Sequence, residues 1–145
     1  MQFIEKHLFV KISGIPGAGK GLFTKRFIPK GSLITAYKGE ITTWKKVLEI
    51  EKKTKTFNPY LYFLNRDHVI DAMCCPEVLA RYSNDAKGLH KVMGLLNNCR
   101  FTEDKDLVFV EAIKDISAGT EILISYGKEY WRIVKKIKRV SSNGK

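Results

Sequence analysis

Residues 14–23 read Gly14-Ile15-Pro16-Gly17-Ala18-Gly19-Lys20-Gly21-Leu22-Phe23, and two architectures compete for them. Taken as GxxxxGK[ST], the stretch matches a phosphate loop at every fixed position but the last, where Gly21 lacks the hydroxyl that would hold a magnesium ion. Such a loop must open a helix whose N-terminal amides receive the phosphates. Here Leu22-Phe23-Thr24 is β-rich instead, and Pro29-Lys30-Gly31 closes the segment soon afterwards. Read as a glycine-rich turn leading into a strand, 17–23 offers a backbone that a ligand can approach closely, because no Cβ stands in the way.

Outward from that turn, short β-rich runs recur between Gly, Pro and Asn punctuation, at 8–12, 21–24, 33–37, 69–72, 107–112 and 121–125. A first helix is expected after Thr42 and Thr43, either of which can cap it, with Trp44, Val47 and Leu48 on one face. A second is expected over about 76–82. A third begins near Tyr130, where Ile133, Ile137 and Val140 recur at helical spacing beside Lys135, Lys136, Lys138 and Arg139. The expected class is mainly β (α+β), with several small sheets and short helices. The 145 residues suffice for one core and not for two, so the expected layout is one domain over 1–131 and a basic helical tail over 132–145.

Lys and Arg number 26 against 15 Asp and Glu, a formal net charge of +11, where roughly 2 to 8 is ordinary for a small domain. Polyanions are attracted to such a surface, so nucleic acid and an acidic protein surface are equally candidate partners. The longest apolar runs, 33–37 and 60–64, fall far short of the roughly 20 residues that cross a bilayer. The first ten residues lack a charged-then-apolar leader. An intracellular protein without a membrane partner is therefore expected, in cytoplasm, nucleus or nucleoid. Cys74, Cys75 and Cys99 form no CxxC pair and read as small buried apolar residues in a reducing compartment. His7, His68 and His90 have no carboxylate or thiol at ligand spacing, so no metal site is expected. No GxSxG elbow exists for acyl transfer.

After the glycine turn, three further motifs follow in order: Tyr37-Lys38-Gly39-Glu40, Arg81-Tyr82-Ser83-Asn84-Asp85, and Glu121-Ile122-Leu123-Ile124-Ser125-Tyr126-Gly127. Together they resemble the SET-domain protein lysine methyltransferases, whose signatures are a GxG turn before Leu/Trp-Phe, a YxG, an Arg-aromatic-x-Asn-His and a Glu-Leu-x-x-Asp-Tyr. The resemblance covers about 11–131, extends to Asn98-Cys99, and is to a minimal core without cysteine-rich zinc segments. Asp85 stands where the family usually has His, and Ser125 where it has Asp.

The resemblance implies the SET fold, with small sheets around a knot-like core in which the chain near 84–98 is threaded through a loop close to Tyr126. It implies S-adenosyl-L-methionine as cofactor, held by main-chain groups of Lys20, Gly21 and Leu22, with Arg81, Asn84 and Asp85 opposite. Tyr126 is the implied catalytic residue, and Tyr37, Ile124, Tyr130 and Trp131 the implied substrate channel. The implied reaction is methyl transfer to a lysine of a protein, with histones or other chromatin or nucleoid proteins as candidate substrates. A lysine-rich target would be repelled by the +11 chain unless carboxylates such as Glu40 or Glu111 face the channel.

The chemistry suits these residue types. Methyl transfer to an amine is an in-line displacement, so positioning is most of the work. A lysine amine of pKa about 10.4 is neutral in roughly one molecule in two thousand at pH 7. An aromatic channel that removes water from the ammonium lowers that pKa, and a Tyr hydroxyl orients the amine without adding charge. An alternative is a catalytically inactive SET-like basic module that binds nucleic acid or protein.

Overall fold

A computed structural model of the chain describes residues 4–55, 58, 60–65, 67–87, 92–105, 107–127 and 130. Within these, a 3-10 turn at Glu5–His7 precedes a ribbon of β1 (Leu8–Ile12) and β2 (Lys20–Thr24), antiparallel with Phe9 opposite Phe23. The glycine-rich stretch is the loop of that ribbon, closed by the Ser13 amide donating to the Gly19 carbonyl at 2.8 Å. A strand, not a helix, follows it, which removes the phosphate-loop reading.

Two three-stranded antiparallel sheets complete the described core. One has the order β3 (Leu33–Ala36), β8 (Leu107–Ala112), β7 (Cys99–Asp104); the other β4 (Glu40–Thr43), β6 (His68–Asp71), β5 (Leu61–Phe63). The mainly β expectation holds. Helix α1 (Trp44–Thr54) starts where Thr43 caps it by accepting the Lys46 amide, and ends at Lys55 in the left-handed region. Its expected face is corrected in one place: Val47 is buried, but Leu48 is 54% exposed. The helix expected over 76–82 is shortened to one 3-10 turn, Leu79–Tyr82, because Val78 is extended. The tail helix from about 131 lies outside the described residues. No described helix is long and apolar enough to cross a membrane.

Leu22, Ile34, Val110, Ile122 and Ile124 are wholly buried in one cluster between the ribbon and the β3–β8–β7 sheet. Each is worth about 1.5–3 kcal/mol relative to exposure. Cys99 joins this core, its thiol pushed up to about 12 by burial, and Cys75 is half-buried. Cys74, expected inside, is exposed.

Residues 121–125, expected as a strand, form no ladder among the described residues. They lie between other segments through single bridges: Glu121 to Phe23, Leu123 to Asn84 and Ile124 to Cys99, the last two parallel. Asn98 fastens this arrangement with its side chain, Nδ2 donating to the Glu121 carbonyl and Oδ1 accepting from the Leu123 amide, both at 2.9 Å. Threading Glu121–Tyr126 between 84–85 and 97–99 brings motifs that are far apart in sequence to one place.

Candidate active site

The glycine turn and the third and fourth motifs meet at a polar joint. Asn84 donates from Nδ2 to the Lys20 carbonyl at 3.0 Å and to Glu121 at 3.4 Å. Glu121 is buried and its carboxylate is met by neutral donors: it accepts from the Ser13 hydroxyl at 2.6 Å and the Gly14 amide at 2.9 Å. Gly21 is required here, because a Cβ on it would stand 2.4 Å from the Glu121 carboxylate. Lys20, Gly21 and Asn84 are thus brought together as expected. Leu22 adjoins them, with its side chain wholly buried and its carbonyl accepting from the Ile122 amide.

Asp85 is buried and points inward. Its Oδ1 accepts from the Lys87 amide at 2.8 Å and from Asn97 Nδ2 at 2.9 Å, while Oδ2 accepts from the Tyr126 amide at 2.9 Å. The carboxylate therefore fixes the backbone that carries Tyr126. Its neighbour Ser83 holds the other end of that residue, for the Tyr126 hydroxyl donates to the Ser83 carbonyl. The phenol is held neutral: burial first, then the nearby Tyr130, Tyr37 and Asp85, raise its pKa well above the ordinary value.

Tyr126 faces a cavity of about 300 Å³ walled by Tyr37, Tyr62, Phe101, Tyr126 and Tyr130. The Tyr126 and Tyr130 rings meet edge-on at 4.9 Å, as do Tyr62 and Phe101, and Tyr37 meets Phe101 at 5.9 Å. Burial pushes the Tyr130 hydroxyl up to about 12 and lifts Tyr37 and Tyr62 further, so every phenol of the wall stays protonated at neutral pH. Gly39 of the second motif lets the chain turn past the sheet beside Tyr37, because its missing Cβ would stand 2.4 Å from the Asp71 carbonyl.

Three expected residues stand apart from this grouping. Arg81 lines the cavity and not the glycine turn; its guanidinium donates to the Ala72 and Met73 carbonyls at 2.9 Å and lies over the Tyr60 ring at 4.2 Å. Ile124 is wholly buried in the core and is not among the cavity-lining residues. Trp131 lies outside the described residues.

Sequence reasoning missed Tyr62 and Phe101 as cavity walls, Ser83 as the phenol's acceptor, and Glu121 and Asn97 as the joint's clamps. The first two had a signal in the continuous apolar run of 60–64 and in an aromatic shortly after Asn98-Cys99. Two carboxylates stand beside wall residues: Glu103 accepts from the Tyr62 hydroxyl at 3.0 Å, and Glu111 pairs with cavity-lining Arg100 at 2.5 Å.

The chain is 29% identical over 126 residues to the N-lysine methyltransferase KMT5A of Xenopus tropicalis, covering 81% of this chain and 36% of that protein. It therefore spans about a third of that relative's length. Its fold is similar to Polycomb Repressive Complex 2 of Chaetomium thermophilum. One structure, autoinhibited and bound to S-adenosylmethionine, gives a TM-score of 0.68 at 23% identity, over 92% of this chain and 17% of that one. An inhibitor-bound humanized mutant gives 0.64 at 24%, over 83% and 15%. The SET-domain family model matches residues 19–127, from the glycine turn to the residue after the phenol. That match takes in all four motifs, and the chain belongs to the SET-domain family.

Proposed function

We propose that this chain is an S-adenosylmethionine-dependent protein lysine N-methyltransferase. One observation carries the reading: the Tyr126 hydroxyl is bonded to the Ser83 carbonyl, and the next residue, Asn84, is bonded to the Lys20 carbonyl of the glycine turn. An aromatic cavity and an open backbone turn are thus held one residue apart. The residues present fit the cofactor, since space lies open beside Gly19 in that turn and Asn84 fixes its far end. Lys20, Gly21 and Asn84 would hold it, with Leu22 in support, while Arg81 and Asp85 are bonded toward the cavity and the Tyr126 backbone. When bound, it supplies a methyl group on a sulfonium sulfur.

The chain's own residues do the rest. The walls of Tyr37, Tyr62, Phe101 and Tyr130 take water from an entering lysine side chain, which disfavours the ammonium and lowers its pKa, so the proton leaves to solvent. With its own proton committed to Ser83, the Tyr126 oxygen accepts an N–H of the neutral amine and so aims the nitrogen's one lone pair. Because the phenol is un-ionised, it adds no charge that would draw the amine back to its protonated form.

Glu111 is paired with cavity-lining Arg100 and Arg81 also lines the wall, so Glu103, bonded to the Tyr62 hydroxyl and in no ion pair among the described residues, is the carboxylate beside the wall left to attract a cation in a chain of net charge +11. The substrate we propose is a lysine-bearing segment, such as a histone tail or a nucleoid protein, that enters beside Glu103.

The test is mass spectrometry of histones and of a cell lysate incubated with the full chain and isotopically labelled cofactor. Labelled methyl-lysine is expected, and Tyr126→Phe is expected to lower turnover about a hundredfold with cofactor affinity little changed. No labelled lysine on any protein would favour the inactive binding module. Undiminished turnover of Tyr126→Phe would remove the phenol from the mechanism.

A further inference from the structure

The outer face of the β1–β2 ribbon gathers cations without a carboxylate partner among the described residues. Side chains alternate across a strand: Leu8, Leu22 and Thr24 turn to the core, leaving Phe9, Lys11 and Phe23 on the other face, where Phe23 is itself buried. The Lys25 amide donates to the His7 carbonyl at 2.7 Å, which carries the pairing one step further and adds Lys25 and His7 to that face. Phe9 and Phe23 stack at 5.6 Å. Lys11 Nζ sits 4.4 Å over the Phe23 ring and 5.7 Å over Phe9, and Lys25 Nζ sits 6.0 Å over Phe9.

Arg26 follows Lys25 in the chain, and it and Lys6 lie within electrostatic reach of His7. The His7 imidazole is held below its ordinary pKa by desolvation and then by Arg26, Lys6 and Lys25 around it. Among the described residues, none of Lys6, Lys11, Lys25 and Arg26 takes part in an ion pair; the pair present is Arg100 with Glu111. The neighbouring carboxylates are committed elsewhere, Glu5 to the Thr35 hydroxyl and Glu121 to Ser13, Gly14 and Asn84.

We propose that this face binds the phosphate backbone of duplex DNA without reading its sequence. The chemistry selects among polyanions. Single strands bind by stacking bases on aromatic faces, but here ammonium groups already cover the rings. An acidic protein would bury apolar side chains against an apolar centre, and the Phe9–Phe23 stack that could serve as one is capped by the same ammoniums. Densely spaced phosphates need fixed point charges and no more. Cation–π contact fixes Lys11 and Lys25, and Thr24 fixes the backbone of Arg26 by donating to its carbonyl at 2.7 Å. Helix α1 carries Lys45, Lys46, Lys52 and Lys53 as well, but interleaves them with Glu49 and Glu51.

The experiment is anisotropy of the full chain with a labelled mixed-sequence duplex across a salt series, without cofactor or protein substrate, so its outcome is independent of methyl transfer. The triple variant Lys11→Gln, Lys25→Gln, Arg26→Gln is compared with an equal charge loss on α1, Lys45→Gln, Lys46→Gln, Lys53→Gln. The ribbon variant is expected to bind at least about tenfold more weakly and to lose about 2.7 from the log–log salt slope, at about 0.9 per phosphate. The α1 variant is expected to keep the wild-type slope. Each ribbon substitution alone should remove about 0.9, which preserves the test if the triple variant unfolds. Equal losses in both triple variants, or a ribbon variant that binds like wild type, overturn the proposal. So does poly-glutamate binding the wild type as tightly as DNA with the same dependence on these three residues, which would make the occupant an acidic protein.

Discussion

Behind Tyr126 the chain is held by amides and carboxylates; in front of it stand rings. The joint behind uses Asn84, Asp85, Asn97, Asn98 and Glu121, each making directional bonds, and three of the five are buried. The wall in front uses Tyr37, Tyr62 and Phe101 at centroid distances of 4.9 to 5.9 Å, where contact is broad and tolerant of small shifts. The difference separates two jobs. A buried polar group costs about 1–3 kcal/mol if its partner is lost, so the joint admits one geometry and positions the phenol. The rings supply dry surface with little directional demand, which suits a guest whose charge must be shed.

If that division is right, the joint should break first and most. Asn98→Ala leaves the Glu121 carbonyl and the Leu123 amide unsatisfied in the interior, so urea unfolding should show a loss of about 3 kcal/mol. A loss under about 1 kcal/mol would mean that water or a shift of the chain replaces the amide, and the joint would be looser than its bonds imply. Asp85→Asn is nearly isosteric, yet it turns a donor toward either the Tyr126 amide or the Lys87 and Asn97 donors. It should cost about 2 kcal/mol and, under the methyltransferase reading, lower kcat while leaving the cofactor Kd nearly unchanged. A weakened cofactor Kd with kcat intact would place Asp85 on the cofactor and not on the phenol. The two losses in Asp85→Asn and Tyr126→Phe should also be less than additive, since one residue acts through the other.

Much of this was legible in the residues, and the exceptions have physical causes. Short β-rich runs set between Gly, Pro and Asn along the chain announced β1, β2, β3, β6 and β8, and Thr42-Thr43 announced the start of α1, with Thr43 the one that caps it. β7 was not visible because Cys99-Arg100-Phe101-Thr102-Glu103-Asp104 is mostly polar; its partner β8 carries the apolar face and pairs with it residue for residue. β4 was hidden because its threonines also read as helix caps. Residues 121–125 looked like a strand, but their partners come from three separate segments, which no local pattern encodes. The site divides the same way. Ordered motifs pointed to Tyr126, Asn84 and Lys20, while Tyr62 and Ser83 join only through long-range packing and a main-chain carbonyl.

The wall offers the weakest lever and the sharpest check on the division of labour. Tyr62 has two features that could matter, a ring packed at 4.9 Å on Phe101 and a hydroxyl that donates to the exposed Glu103. Burial, then the Glu103 bond, keeps that hydroxyl protonated well above neutral pH, so it contributes neither charge nor a proton at working conditions. Tyr62→Phe keeps the ring and removes a bond to a solvated carboxylate, which should cost under about 1 kcal/mol. Turnover on a lysine peptide should stay within about twofold, because this hydroxyl neither gives nor takes a proton in the reaction as general acid or base. KM should rise slightly, since Glu103 loses the partner that holds it near the mouth. A tenfold fall in kcat would show that a wall hydroxyl orients the guest, and rings and polar joint would then share the task assigned above to the joint alone.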